Sequence, residues 1–266
     1  MTVVRFRLVS LTALAAALAG AFSCRPGPAS IAGLDAATAS AIPADTELLS
    51  SLDLARIRGS PLVPALPANA RQFLASYPTA SSLVVAWKSD AFLILARGAF
   101  TQPPAGSVLV NSGLVMAGPE NALQAAIARY NSRALPRSPV LDYAARSFPD
   151  APVWAAARGG VALPLTGNAA NLNRLLRDLD YAGLALTVDS PAQLRLVALG
   201  ASSDGARRFE ESFRAFLSLA AAGEARHPDL AALLGAARVE RQDRAVAVTL
   251  QAPIDRIALL LTALAR

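Results

Sequence analysis

Few side chains in this sequence are equipped for chemistry. His227 is the only imidazole, so a Ser-His-Asp or Cys-His mechanism would have to run through it. No G-x-S-x-G elbow accompanies it. The stretch Gly200-Ala201-Ser202-Ser203-Asp204-Gly205 does not fit that pattern, and Ser202 and Ser203 suit the start of a helix instead. His227 precedes Pro228 between two helical stretches, which predicts an exposed loop residue without a catalytic role. One His and one Cys leave only carboxylates to hold a metal, which argues against zinc, and no D-x-D-x-D-G loop suggests calcium. Arg158-Gly159-Gly160 lacks the residues of a phosphate-binding loop. No metal and no cofactor are therefore expected. Asp53, Asp178, Asp180, Glu210 and Glu211 remain as acids that could meet in space for carboxylate-dependent hydrolysis. Solvated surface charge is the commoner role for such residues. Trp87 and Trp154 fall in strand-like stretches, where packing outranks ligand stacking.

The single thiol, Cys24, sits directly after the first apolar run. Met1–Arg7 carries two Arg and no acid, and Leu8–Phe22 is apolar or small apart from Ser10 and Thr12. That run is about fifteen residues, shorter than the ~20 needed to span a bilayer. The layout predicts a secretory signal peptide over residues 1–23. Ala19-Gly20-Ala21 offers a competing A-x-A site, with cutting after Ala21. An exported chain with one Cys has no internal partner for it, so the thiol calls for another role.

Ala21-Phe22-Ser23-Cys24 resembles the lipobox of bacterial lipoproteins, with Ala21 standing where that family usually has Leu. The resemblance implies acylation of Cys24 as the first mature residue, and several acyl chains anchor where one does not. Arg25 stands where many Gram-negative lipoproteins carry the Asp that retains them at the inner membrane. The resemblance thus implies an outer-membrane lipoprotein facing the periplasm, with soluble secretion as the alternative. Two further stretches, Ile42-Pro43-Ala44-Asp45-Thr46 and Leu52-Asp53-Leu54-Ala55-Arg56-Ile57-Arg58-Gly59-Ser60-Pro61, resemble the opening of uncharacterised exported bacterial proteins known only by a domain of unknown function. That likeness implies export and repeated α+β units, and it implies no activity.

The rest of the chain must be a folded body. It has 266 residues, 54% of them hydrophobic, too apolar for disorder and with too little Cys for a disulfide scaffold. Without Arg5 and Arg7 the net charge falls from +6 to about +4. Its Arg residues are spread beside Asp and Glu rather than clustered with aromatics, which argues against nucleic acid. Residues 24–42, rich in Pro, Ala, Ser and Gly, read as a lipid-attachment point and flexible tether. Residues 43–135 read as strand, helix, two hairpins and helix, and residues 136–266 repeat that order with a two-helix insertion near 204–235. The first unit has a strand over Thr46–Leu54, hairpins through Ser89-Asp90 and Asn111-Ser112-Gly113, and a helix opened by Pro119. The second has a strand over Pro152–Ala157, a helix over Asn168–Leu179, hairpins through Asp189-Ser190-Pro191 and Gln242-Asp243, and a helix over Ile254–Leu264. The expected class is α+β, with mainly antiparallel sheets, helices on one face, and two related units.

These readings favour a non-enzymatic, lipid-anchored envelope protein that acts by binding or scaffolding. Its partners would be the membrane, through the lipid, and an envelope protein. A periplasmic carrier of an apolar ligand or lipid is the second reading, and a carboxylate-dependent hydrolase the third.

Overall fold

The computed structural model describes residues 30–66, 68–89, 91–133, 135, 138–161, 176–223 and 228–264. Cys24, His227 and residues 162–175, which include most of the helix expected over Asn168–Leu179, lie outside them. Leu179, expected to close that helix, instead opens a strand.

A small hairpin, β1 (Ser30–Ile31) and β2 (Leu34–Asp35), leads into helix α1 (Ala36–Ala41). Ten further strands form one antiparallel sheet. The first five are β3 (Leu48–Asp53), β4 (Ala80–Lys88), β5 (Ala91–Gly98), β6 (Ser107–Asn111) and β7 (Leu114–Ala117). The second five are β8 (Val153–Arg158), β9 (Leu179–Thr187), β10 (Ala192–Gly200), β11 (Arg238–Gln242) and β12 (Ala245–Ala252). Their spatial order is β11-β12-β10-β9-β8-β3-β4-β5-β7-β6. Read outward from the centre, both halves follow one scheme: first, second, third, fifth, fourth.

The registers match as well. Antiparallel β3 and β8 meet at the centre, with Ser50 opposite Ala155 and equal overlap on either side. A pseudo-two-fold perpendicular to the sheet passes through that pair. It relates Leu48–Asp53 to Val153–Arg158 and Ala80–Lys88 to Leu179–Thr187. Both inner hairpins carry a bulge at the same place. Ser81 is skipped between the pairs Ala80–Gly98 and Ser82–Arg97, and Asp180 between Leu179–Gly200 and Tyr181–Leu199. One hydrogen bond also recurs: the Gly98 amide donates to the Gly113 carbonyl at 3.1 Å, and the Gly200 amide to the Arg244 carbonyl at 2.8 Å. The two expected units thus share one continuous sheet.

Helices lie on both faces of that sheet, because its central strands are apolar on both sides. In β4, Val84 and Ala86 are buried on one face and Leu83 on the other. The first face is covered by α1, α5 (Glu120–Ser132) and α6 (Pro139–Ser147), over Leu49, Leu93, Leu95, Met116 and Trp154. On the second face α2 (Leu54–Ile57) and α4 (Ala68–Ala75) cover the first half, while α3 (Leu62–Ala65), between them in the chain, packs Leu62 into the core of the second half beside Leu186 and Ala192. The second half is covered there by α7 (Ser203–Gly223), α8 (Pro228–Gly235) and α9 (Ile254–Leu264). Helices α7 and α8 occupy the expected insertion.

The tether expectation fails from Ser30 onward. Ala39, Ala41 and Ile42 are buried in the main core. Asp35 caps α1, accepting from the Ala37 and Thr38 amides at 3.1 Å each. Small residues here make close packing against the sheet, where their lack of aliphatic periodicity had suggested a linker.

Candidate functional site

Of the acids that could have formed a catalytic pair, four are each held by Arg. Asp178 accepts from Arg208 at 3.0 Å. Asp180, the bulge residue of β9, is paired with Arg244, which also donates to the Gly200 carbonyl at 2.8 Å. Glu210 binds Arg214 at 3.0 Å and Arg241 at 2.9 Å. The hydrogen bonds from these two Arg outweigh burial and hold its carboxyl below the ordinary Glu value. Glu211 reaches Arg207 at 3.4 Å. Asp53 caps α2, accepting from the Arg56 amide at 3.1 Å. Among the described residues the carboxyls that shift, Asp35, Asp45 and Glu210, all shift down.

Two recesses among the described residues adjoin each other around the segment 149–152. One, of about 270 Å³, is lined by Ser51, Asp53, Arg56, Ser82 and Asp150 among others. The other, of about 410 Å³, is lined by Arg56, Asp150, Thr187, Asp189, Gln193 and Arg195 among others. Both are open and mixed in polarity. Arg56 stands between them, 3.4 Å from Asp189 and 3.5 Å from the Asp150 carbonyl oxygen. Arg195 donates to the Ser147 carbonyl at the end of α6, at 3.4 Å. Neither recess is the enclosed apolar cavity that carriage of a lipid requires. No group of three or more His, Cys, Asp or Glu suited to a metal occurs among the described residues.

Trp154 is 2% exposed, and its indole N–H donates to the Ala32 carbonyl at 3.1 Å. It is a packing residue, and it clamps the N-terminal hairpin to the sheet. Trp87 is half-buried in β4 opposite Phe92, which is exposed.

Sequence reasoning missed a polar cluster that fastens α1. Arg97 of β5 pairs with Asp35 and donates to the Thr38 hydroxyl at 3.1 Å. Burial pushes the Asp35 carboxyl up, but its bonds from Thr38 and the charge of Arg97 outweigh this, and its pKa ends below the ordinary Asp value. Arg129 of α5 donates to the Ala41 carbonyl at 2.8 Å. The available signal was Asp35 followed by Thr38 at cap spacing. Helix α6 was missed too, although Ser138-Pro139 is an N-cap with Pro at the first helical position. Its Tyr143 stacks on Tyr181 at 5.2 Å and donates to the Val197 carbonyl at 2.8 Å.

No family model matches the sequence, and no curated protein matches it significantly. Solved structures do. This chain is similar in fold to TP0453. One crystal form of TP0453 is 12% identical, with a TM-score of 0.51 over 90% of this chain and 100% of that one. A second is 10% identical, with a TM-score of 0.51 over 86% and 98%. At such identity the likeness is one of fold.

Proposed function

We propose that this is an exported, lipid-anchored cell-envelope protein that works by binding rather than catalysis. The observation that carries the non-catalytic part is the state of the acids: four of the five sequence candidates sit in ion pairs with Arg and the fifth caps a helix. Anchoring rests on the charged, apolar, small-residue layout of residues 1–23 and on Cys24 directly behind it. Only five residues separate Cys24 from Ser30 in the sequence, and Ser30 is already part of β1, so a lipid on Cys24 would hold the body close to the membrane. None of the described helices is long and apolar enough to cross a membrane, so in this reading attachment depends on the lipid. The carrier reading finds no enclosed apolar cavity among the two recesses to rest on.

The test is fractionation of cells expressing the wild type and Cys24→Ala, with intact mass of both. Acyl mass on the wild type and release of the variant from the membrane fraction are expected. A wild type without acyl mass, or a variant that stays with the membrane, would sink the anchor.

A further inference from the structure

We propose that the first sheet face of the second half, beside α6, is a seat for an acidic amphipathic helix of a partner protein. This deepens the binding role proposed above and rests on it. In the first half, that face is closed by two helices packed together: α1, which precedes the first strand of the unit, and α5, which follows its last. In the second half α6 holds the place of α1 in chain order, ahead of the unit's first strand, and packs over β8 and β9. The counterpart of α5 is α9, and α9 packs on the opposite face, against Leu186, Ala192 and Leu250. Among the described residues no helix follows α6 on its own face, and β10 and β12 are only partly covered there.

The floor of this seat is the two-fold image of the floor under α5. The pairings place Leu93, Leu95, Leu114 and Met116 in correspondence with Arg195, Val197, Ala245 and Ala247. The first four are buried at 2% or less. Of the second four, Val197, Ala245 and Ala247 are half-buried and Arg195 is exposed. Val197 and Leu199 already pack against the edge of the core, and Tyr143 of α6 forms one wall. Small floor residues let a helix backbone approach closely. The occupant of the equivalent seat supplies Leu123, Ala126, Ile127 and Tyr130 at helical spacing, and a partner helix needs a similar stripe. The one floor position changed from apolar to charged is Arg195, in place of Leu93, so the stripe should be flanked by an acid. The far rim on β11 presents Arg238 and Glu240 on the same face.

The test uses the full chain carrying Cys24→Ser with Ala247→Cys, which gives one thiol in the floor, labelled with an environment-sensitive dye. The probes are two capped peptides of residues 119–133, the chain's own α5: the natural sequence, and one with Arg129→Glu. Rapid labelling of the free protein is expected, then a saturable dye response to both peptides, with the acidic one binding about threefold tighter. Arg195→Glu, an exposed substitution checked by thermal unfolding, should reverse that preference. Slow labelling would mean that the chain covers its own seat, and would overturn the proposal. So would absence of binding at millimolar peptide, or an affinity order that Arg195→Glu leaves unchanged. None of these outcomes depends on lipidation, so failure here leaves the anchor standing.

Discussion

Leu184 and Leu186 share one face of β9, two residues apart, and they should differ sharply on truncation. Leu186 is 5% exposed, packed with Ala192, Leu250 and Ile257, whereas Leu184 is 37% exposed. Leu→Ala removes three carbons, worth about 2.4 kcal/mol at ~0.8 kcal/mol for each fully buried carbon. At Leu186 the walls are strand and helix atoms that relax only in part, so a cavity of some tens of Å³ adds about 1 kcal/mol. The total is about 3 kcal/mol, or a fall of roughly 6–12 °C in Tm for a body of this size. At Leu184 water fills the gap and only the buried share counts, about 1.5 kcal/mol. Urea unfolding of both variants measures the difference, with an unchanged m-value as the sign that the denatured state is unaltered. Leu186→Asp should be worse than either, since it adds an unpaired charge to the same site. Equal losses at 184 and 186, or a larger one at 184, would refute the packing of α9 against this face.

Asp35→Asn keeps an acceptor for the α1 cap but removes the charge that meets Arg97. The folded carboxyl titrates below its unfolded value, so its contribution is present above about pH 4 and is lost as the pH falls through the folded pKa. The variant should be about 1 kcal/mol less stable at pH 7 and converge with the parent at low pH in a pH series of urea midpoints; parallel curves would contradict the pairing. Gly200→Ala places a Cβ 2.7 Å from both the Ala206 nitrogen and the Ser202 oxygen. It should cost about 1–3 kcal/mol by thermal unfolding, and a neutral result would mean that the start of α7 yields freely.

Much of the sheet was legible because its signals are local. Alternating apolar residues bounded by turn residues gave the strands around Leu83–Gly98 and Leu184–Gly200, which fall in β4–β5 and β9–β10. The long spacer between those hairpins was readable as helix from the stripe of Phe209, Phe213 and Phe216. Three things were hidden. Helix α1 is too short and too rich in Ala for periodicity to mark it, and its burial depends on partners as remote as Arg97 and Arg129. The joining of two sheets into one depends on β3 pairing with β8, about a hundred residues away. The fate of the acids depends on which Arg stands opposite. Arg244 finds Asp180, and Arg241 finds Glu210, only because β11 and β12 lie beside β10 and α7. The candidate site was hardly legible at all, since its recesses are bounded by the loop at 149–152 and by one or two residues each from β3, α2, β4, α6, β9 and β10.

The two halves diverge at one point, and sequence explains it. In the first, β7 is four residues long and ends at Gly118-Pro119. A Cβ on Gly118 would stand 2.6 Å from the Phe92 carbonyl oxygen, so only Gly lets the chain turn off the sheet so close to β5. Pro119 then starts α5 at once, and α5 lands on the face that already holds α1. The two-fold image of Gly118 is Thr249, a β-branched residue that stays in the strand. Strand β12 therefore runs on to Ala252, eight residues in all, and the breaker comes only at Pro253. The chain leaves the sheet several residues later, beside α3 and α8 rather than beside α6, and α9 packs there through Ile257 and Leu260. One Gly-to-Thr difference and a Pro placed further along thus account for α5 and α9 packing on opposite faces of the sheet.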